Sequence, residues 1–101
     1  MSEPVPVANA DDVDPGTGIV VDVNGTSLAI FNIEGSFYAI DNTCKHRGGP
    51  LGEGDLDGEL VTCPWHGWEY NVKTGACITN PSTCLKTYPI VLDGKKLKVE
   101  L

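Results

Sequence analysis

Twelve glycines and seven prolines are spread along the 101-residue chain instead of gathered into one linker. That spacing interrupts every candidate long helix and leaves room for short strands joined by tight turns. Asn24-Gly25 separates the apolar segments 19–23 and 28–31, and Asn-Gly is a preferred pair for a two-residue hairpin because both central positions need positive φ. Glu34-Gly35 then precedes 37–40, Asp57-Gly58 precedes 59–62, and Asp93-Gly94 separates 90–92 from 97–101. The last of these segments alternates apolar and polar side chains, as a half-buried strand does. The chain therefore predicts an all-β, antiparallel fold, a small barrel or sandwich.

Both histidines and all four cysteines fall between residues 41 and 84, where Gly, Pro and Trp also concentrate. Residues 1 to about 40 and about 85–101 read as a strand-rich base, and about 41–84 as a site-bearing lobe inserted into it. All of this fits one domain spanning 1–101, a length near the usual domain size.

Composition narrows the function classes. Apolar residues make up 41% of the chain, and mean hydropathy is −0.09, as in a folding, water-compatible sequence. The longest apolar run is four residues, as at 28–31, against the roughly 20 that a membrane-spanning helix needs. Seven basic residues against 14 acidic ones give a net charge of −7. Such a surface repels phosphate backbones and anionic lipid, so nucleic acid and membrane are poor partners and a protein with a basic face is a better one. The first residues lack the basic start and apolar middle of a secretory signal, so a cytoplasmic location is expected. In that reducing compartment clustered cysteines indicate metal binding or catalysis before disulfides.

The cysteines and histidines form two short pairs, Cys44-Lys45-His46 and Cys63-Pro64-Trp65-His66, with sixteen residues between His46 and Cys63. Each pair can place a thiolate and an imidazole nitrogen on one loop. Two such loops facing each other supply two sulfur and two nitrogen ligands. Gly48, Gly49 and Pro50 follow the first pair and Gly67 the second; glycine permits tight loop shapes and proline stiffens them. Cys2His2 is also a tetrahedral zinc set, although zinc fingers pair Cys with Cys and His with His locally.

The spacing C-x-H-x16-C-x-x-H resembles the Rieske [2Fe-2S] motif without a mismatch, and residues 38–89 resemble Rieske-type ferredoxins and oxygenase Rieske domains throughout. The resemblance implies a six-stranded base. It also implies a [2Fe-2S] cluster with Cys44 and Cys63 on the buried iron and His46 and His66 on the outer one. Pro81 matches the third loop, which covers the cluster in that family. Gly48, Pro64, Trp65, Gly67, Trp68, Tyr70 and Pro81 are the candidates for the surrounding shell, with Trp65, Trp68 and Tyr70 expected to pack beneath the second loop and exclude water. High-potential members join an extra cysteine from each loop in a disulfide. Those positions here are Gly49 and Trp65, and Trp68 stands where they carry a serine hydroxyl. Fewer donors to the sulfurs imply a potential toward the low end of about −150 to +300 mV.

Cys77 and Cys84 lie outside the motif and read first as small core or loop residues, second as a disulfide or redox pair. Lys45 and Arg47 flank His46. Asp11, Asp12 and Asp14 make an acidic run near the first strand, and Glu53, Asp55, Asp57 and Glu59 a denser one between the ligand pairs, suited to steering a basic partner. The leading function is a soluble one-electron carrier between a flavin-containing reductase and a terminal oxygenase or similar acceptor. The alternatives are the small cluster-bearing subunit of an assimilatory nitrite reductase, and a zinc-stabilised interaction module. A catalytic oxygenase is not expected, because the motif uses every histidine in the chain.

Overall fold

A computed structural model describes residues 4–23, 25–43, 50–64, 67–80 and 82–100. Ten strands follow in chain order: β1 (Val5–Asn9), β2 (Gly18–Val23), β3 (Thr26–Ile33), β4 (Ser36–Asp41), β5 (Asp55–Asp57), β6 (Leu60–Thr62), β7 (Glu69–Asn71), β8 (Thr87–Tyr88), β9 (Ile90–Asp93) and β10 (Lys96–Val99). Single 3-10 turns occupy Ala10–Asp12 and Leu51–Glu53. Every strand pairing is antiparallel.

The hairpins form where the turn residues require them. Val23 pairs with Thr26 across Asn24-Gly25, and Ile33 pairs with Ser36 across Glu34-Gly35. Both Glu34 (φ 51°) and Gly35 (φ 90°) take the positive φ that a type I′ turn demands. At two other sites the turn falls one residue later than the sequence suggests. Asp57 and Asp93 end strands β5 and β9, and the turns are Gly58-Glu59 and Gly94-Lys95. Glycine at the first central position is the type II′ requirement, so the register follows glycine and not the preceding aspartate.

The two ends of the chain build a four-stranded sheet, β2-β3-β4-β8, and a three-stranded sheet, β1-β10-β9. Counting β8 and β9 as one strand divided at Pro89 gives the six strands implied by the resemblance. Proline has no N–H to give to a ladder, which suits the point where the chain leaves one sheet for the other. Leu28 and Ile30 of β3 face a core with Val13, Val23, Leu97 and Val99 between these sheets. Their neighbours Ala29 and Phe31 face the opposite way, into a second core. β3 is thus covered on both faces, which is why its sequence is an unbroken apolar run instead of an alternating one.

The second core is closed by the middle of the chain. It joins Ala29, Phe31 and Ile40 to Leu51, Val61, Cys63, Tyr70, Val72, Cys77 and Leu85. Here the structure adds what turn punctuation did not reveal. Residues 41–84 are not loops alone but contain the sheet β5-β6-β7. Leu56, Val61 and Tyr70 share one register row and pack inward. The alternate residues Asp55, Asp57, Thr62 and Glu69 lie on the other face.

Candidate metal centre

Each cysteine–histidine pair falls in a stretch of sequence whose flanking described residues close into a neck. The first loop leaves the end of β4. An antiparallel bridge joins Thr43 to Pro50, and Asn42 makes four hydrogen bonds here, two across the neck to residues 51 and 52 and two to Ser27 of β3. The Asn42 N–H donates to Ser27 O at 3.0 Å, and the Leu51 N–H donates to Asn42 O at 2.7 Å. In its side chain, Oδ1 accepts the Gly52 N–H at 2.7 Å and Nδ2 donates to Ser27 Oγ at 3.1 Å. Asn42 is one of two buried polar side chains among the described residues. Its buried amide replaces the strand partner that the departing chain takes away.

The second loop is an extension of the β6–β7 hairpin. The Cys63 N–H donates to Trp68 O at 2.7 Å, which closes the second neck. Cys63 is 2% exposed and shares the second core with Tyr70 and Cys77. The two necks are neighbours, since Gly54, just past the first, packs against the carbonyl of Thr62, just before the second. A third loop runs back along β7. The Ile78 N–H donates to Glu69 O at 2.8 Å, the Cys77 N–H to Thr83 O at 3.1 Å, and the Asn80 N–H to Cys77 Sγ at 3.2 Å.

Of the predicted ligands, Cys63 lies within the described residues, at the second neck. Cys44, His46 and His66 lie outside them, as do Gly48, Trp65 and Pro81. Pro64 and Gly67 are exposed on the turn, Trp68 packs half-buried against the second core, and Tyr70 is fully buried in it. Of the three aromatic residues expected beneath the second loop, Trp68 and Tyr70 thus pack with the second core. Cys77 is buried and Cys84 is exposed, and neither is in a disulfide, so the paired reading is set aside. Sequence reasoning missed Asn42 and Thr79. A polar side chain directly after an apolar strand and two residues before a ligand candidate was the available signal for Asn42; Thr79 had none.

Of the acidic run between the ligand pairs, Asp55 and Asp57 lie on the outer face of β5-β6-β7, where Asp55 and Glu69 flank Thr62 in one register row, and Glu53 lies in the preceding 3-10 turn. Glu59 is engaged elsewhere, accepting from Asn71 Nδ2 at 2.7 Å and pairing with Lys73 at 3.5 Å. Near the first neck, Tyr88 donates to Asp41 Oδ1 at 2.7 Å. Burial first, then that hydrogen bond and the charge of Asp41, push the Tyr88 phenol up to about 12. Among the described residues no helix is long and apolar enough to cross a membrane.

The donor chemistry fits an iron–sulfur centre. In the sequence each cysteine–histidine pair falls at one of two neighbouring closed necks, and Cys63, the one proposed ligand among the described residues, is withdrawn from water, as a ligand to a buried iron must be. Comparison with known proteins agrees. The sequence model of the Rieske [2Fe-2S] domain matches residues 3–89. The ferredoxin component of the naphthalene 1,2-dioxygenase/salicylate 5-hydroxylase systems of Ralstonia sp. is 33% identical over 98 residues, covering 96% of this chain and 94% of the relative. Among solved structures, the ferredoxin in a complex of reduced oxygenase and oxidized ferredoxin of carbazole 1,9a-dioxygenase superposes with a TM-score of 0.89 at 32% identity, over 99% of this chain and 94% of the other. The small subunit of a putative NADH-dependent nitrite reductase from Mycobacterium tuberculosis has a TM-score of 0.91 over 100% and 96% of the two chains, but at 21% identity it shares the fold alone.

Proposed function

Because the chain belongs to the Rieske [2Fe-2S] domain family, we propose that Cys44, His46, Cys63 and His66 hold its cluster and that it serves as the ferredoxin component of an oxygenase system. The observation that carries the reading is the uninterrupted C-x-H-x16-C-x-x-H set, with its two pairs on loops closed at neighbouring necks. When bound, the cluster takes up and gives up one electron at a time. The chain supplies the rest. The thiolates of Cys44 and Cys63 would cancel the two positive charges of the oxidised core, whereas the neutral imidazoles of His46 and His66 would add no negative charge and so favour uptake of an electron. Phe31, Ile40, Val61, Tyr70 and Leu85 make a dry floor beneath Cys63.

The protein is an electron carrier and not a catalyst. Its proposed donor is a flavin-containing reductase and its proposed acceptor a terminal oxygenase, the kind of partner with which the carbazole dioxygenase ferredoxin is complexed. Asp55, Asp57 and Glu69 beside the second neck favour a basic face on that partner, with an attraction that weakens as salt rises. A cytoplasmic location suits a carrier of this kind. The zinc module is set aside by family membership, and the nitrite reductase subunit keeps only its likeness of fold.

The test is electron paramagnetic resonance of the dithionite-reduced protein. A rhombic signal with average g below the free-electron value supports mixed histidine and cysteine ligation. A silent, colourless protein containing zinc would overturn the proposal. His66→Ala should lose the cluster or leave it unstable, and a stably red, normally reducible variant would refute the ligand assignment.

A further inference from the structure

The outer edge of β7 shows how the second donor loop is held. Because the Cys63 N–H bonds to Trp68 O, residues 63 and 68 are a hydrogen-bonded pair of the β6–β7 ladder. The next pair, Thr62 and Glu69, is then the wide pair, and the Glu69 N–H and C=O turn away from β6. On that side residues 76–78 run antiparallel to β7. The Asn71 N–H donates to Ala76 O at 2.8 Å, Tyr70 bridges Cys77, and the Ile78 N–H donates to Glu69 O at 2.8 Å. Continued regularly, this ladder would return the Glu69 N–H to Ile78 O. It goes instead to the side chain of Thr79, whose Oγ1 accepts it at 3.0 Å.

Thr79 thus completes the ladder at the point where the backbone turns off into the third loop. That loop is tied internally by the Asn80 N–H to Cys77 Sγ and the Ser82 hydroxyl to Asn80 Oδ1 at 2.8 Å. Glu69 directly follows Trp68, the closing residue of the second neck, and stands three residues after His66. With both its backbone groups held by residues 78 and 79, the exit of the second donor loop and the entry of the third are one mechanical unit.

We propose that Thr79 is a positioning residue for the second donor loop, its hydroxyl standing in for the missing backbone acceptor of Glu69. The proposal rests on the assignment of Cys63 and His66 as ligands. Thr79 itself is exposed, so its replacement leaves the cores unchanged. Thr79→Val keeps the shape and removes the acceptor, whereas Thr79→Ser keeps the acceptor and removes the methyl group.

The experiment compares these two variants with wild type in the purified, cluster-loaded protein. In Thr79→Val, hydrogen exchange of the peptide containing Glu69, read by mass spectrometry, should be faster by roughly five-fold, the factor of one ordinary hydrogen bond. Iron release to excess ferrous chelator after reduction should quicken by a similar factor, with the urea midpoint lowered by no more than about 0.5 M, the same single bond read globally, and Thr79→Ser should restore both rates. Wild-type exchange and release in Thr79→Val would overturn the proposal, as would equal effects of Val and Ser, which would mark a packing role. A protein purified without iron would refute the proposed function separately, because exchange at Glu69 still reads the tie.

Discussion

Asn42→Ala should weaken the fold more than any comparably small change on the surface, by an amount the structure lets us work out. The substitution removes the acceptor of the Gly52 N–H, a buried bond of 2.7 Å, and the donor to Ser27 Oγ at 3.1 Å. An unsatisfied buried N–H costs about 1–3 kcal/mol, and the lost Ser27 bond, partly open to water, adds about 0.5–1 kcal/mol. The backbone bonds from Asn42 to Ser27 and from Leu51 to Asn42 survive, so the neck loosens without dissolving. A total of about 1.5–4 kcal/mol corresponds to a drop of about 0.8–2 M in the urea midpoint at a slope near 2 kcal/mol/M. Far-ultraviolet circular dichroism under fixed iron and reductant conditions reads this directly. Ser27→Ala should cost only the smaller part, and the double variant should cost less than the two added together, because the pair shares one bond. A shift below about 0.3 M in Asn42→Ala, or a Ser27→Ala variant as weak as it, would refute the reasoning.

Gly52→Ala should destabilise by about 2–3 kcal/mol, because the added methyl meets Val20 Cγ2 at 2.6 Å and the Ile19 carbonyl oxygen at 2.8 Å, and the backbone cannot step aside as a side chain can. Gly94→Ala, with open space around it but φ at +64°, should cost only about 1 kcal/mol; urea titration of both variants checks the order. Tyr88 keeps its proton in the folded state up to about 12, whereas the unfolded chain releases it near 10.0. The folded state therefore binds more protons in that window, and stability falls as pH rises through it, by about 2–3 kcal/mol in all. Tyr88→Phe should flatten this part of the pH–stability curve, and an unchanged slope would contradict the assignment. Iodoacetamide should modify exposed Cys84 in the native protein and reach Cys77 only on unfolding, as peptide mass mapping would show.

What was legible in the sequence was local. Glu34-Gly35 and Asn24-Gly25 fixed two hairpins because the turn requirement sits in the two residues themselves. The proposed donor set stood out for the same reason: four chemically unusual side chains at fixed spacings need no partner elsewhere to be noticed. Strands β5 and β7 were not legible. Three residues with one inward side chain each, Leu56 and Tyr70, carry too little periodicity to distinguish a strand from a loop.

The residues that hold the donor loops were hidden for a different physical reason. Asn42 reaches Ser27 fifteen positions earlier and Gly52 ten positions later, and Thr79 reaches back ten positions to Glu69. Each acts where a strand ends and a loop begins, by replacing a backbone acceptor that regular pairing no longer provides. Polar residues at such points look like ordinary loop composition, because their effect depends on which strand edge the fold brings opposite them. The necks are therefore held less by the sequences they enclose than by side chains that complete the interrupted ladders beside them. Changes at Asn42 and Thr79 should accordingly disturb the cluster while leaving all four proposed ligands in place.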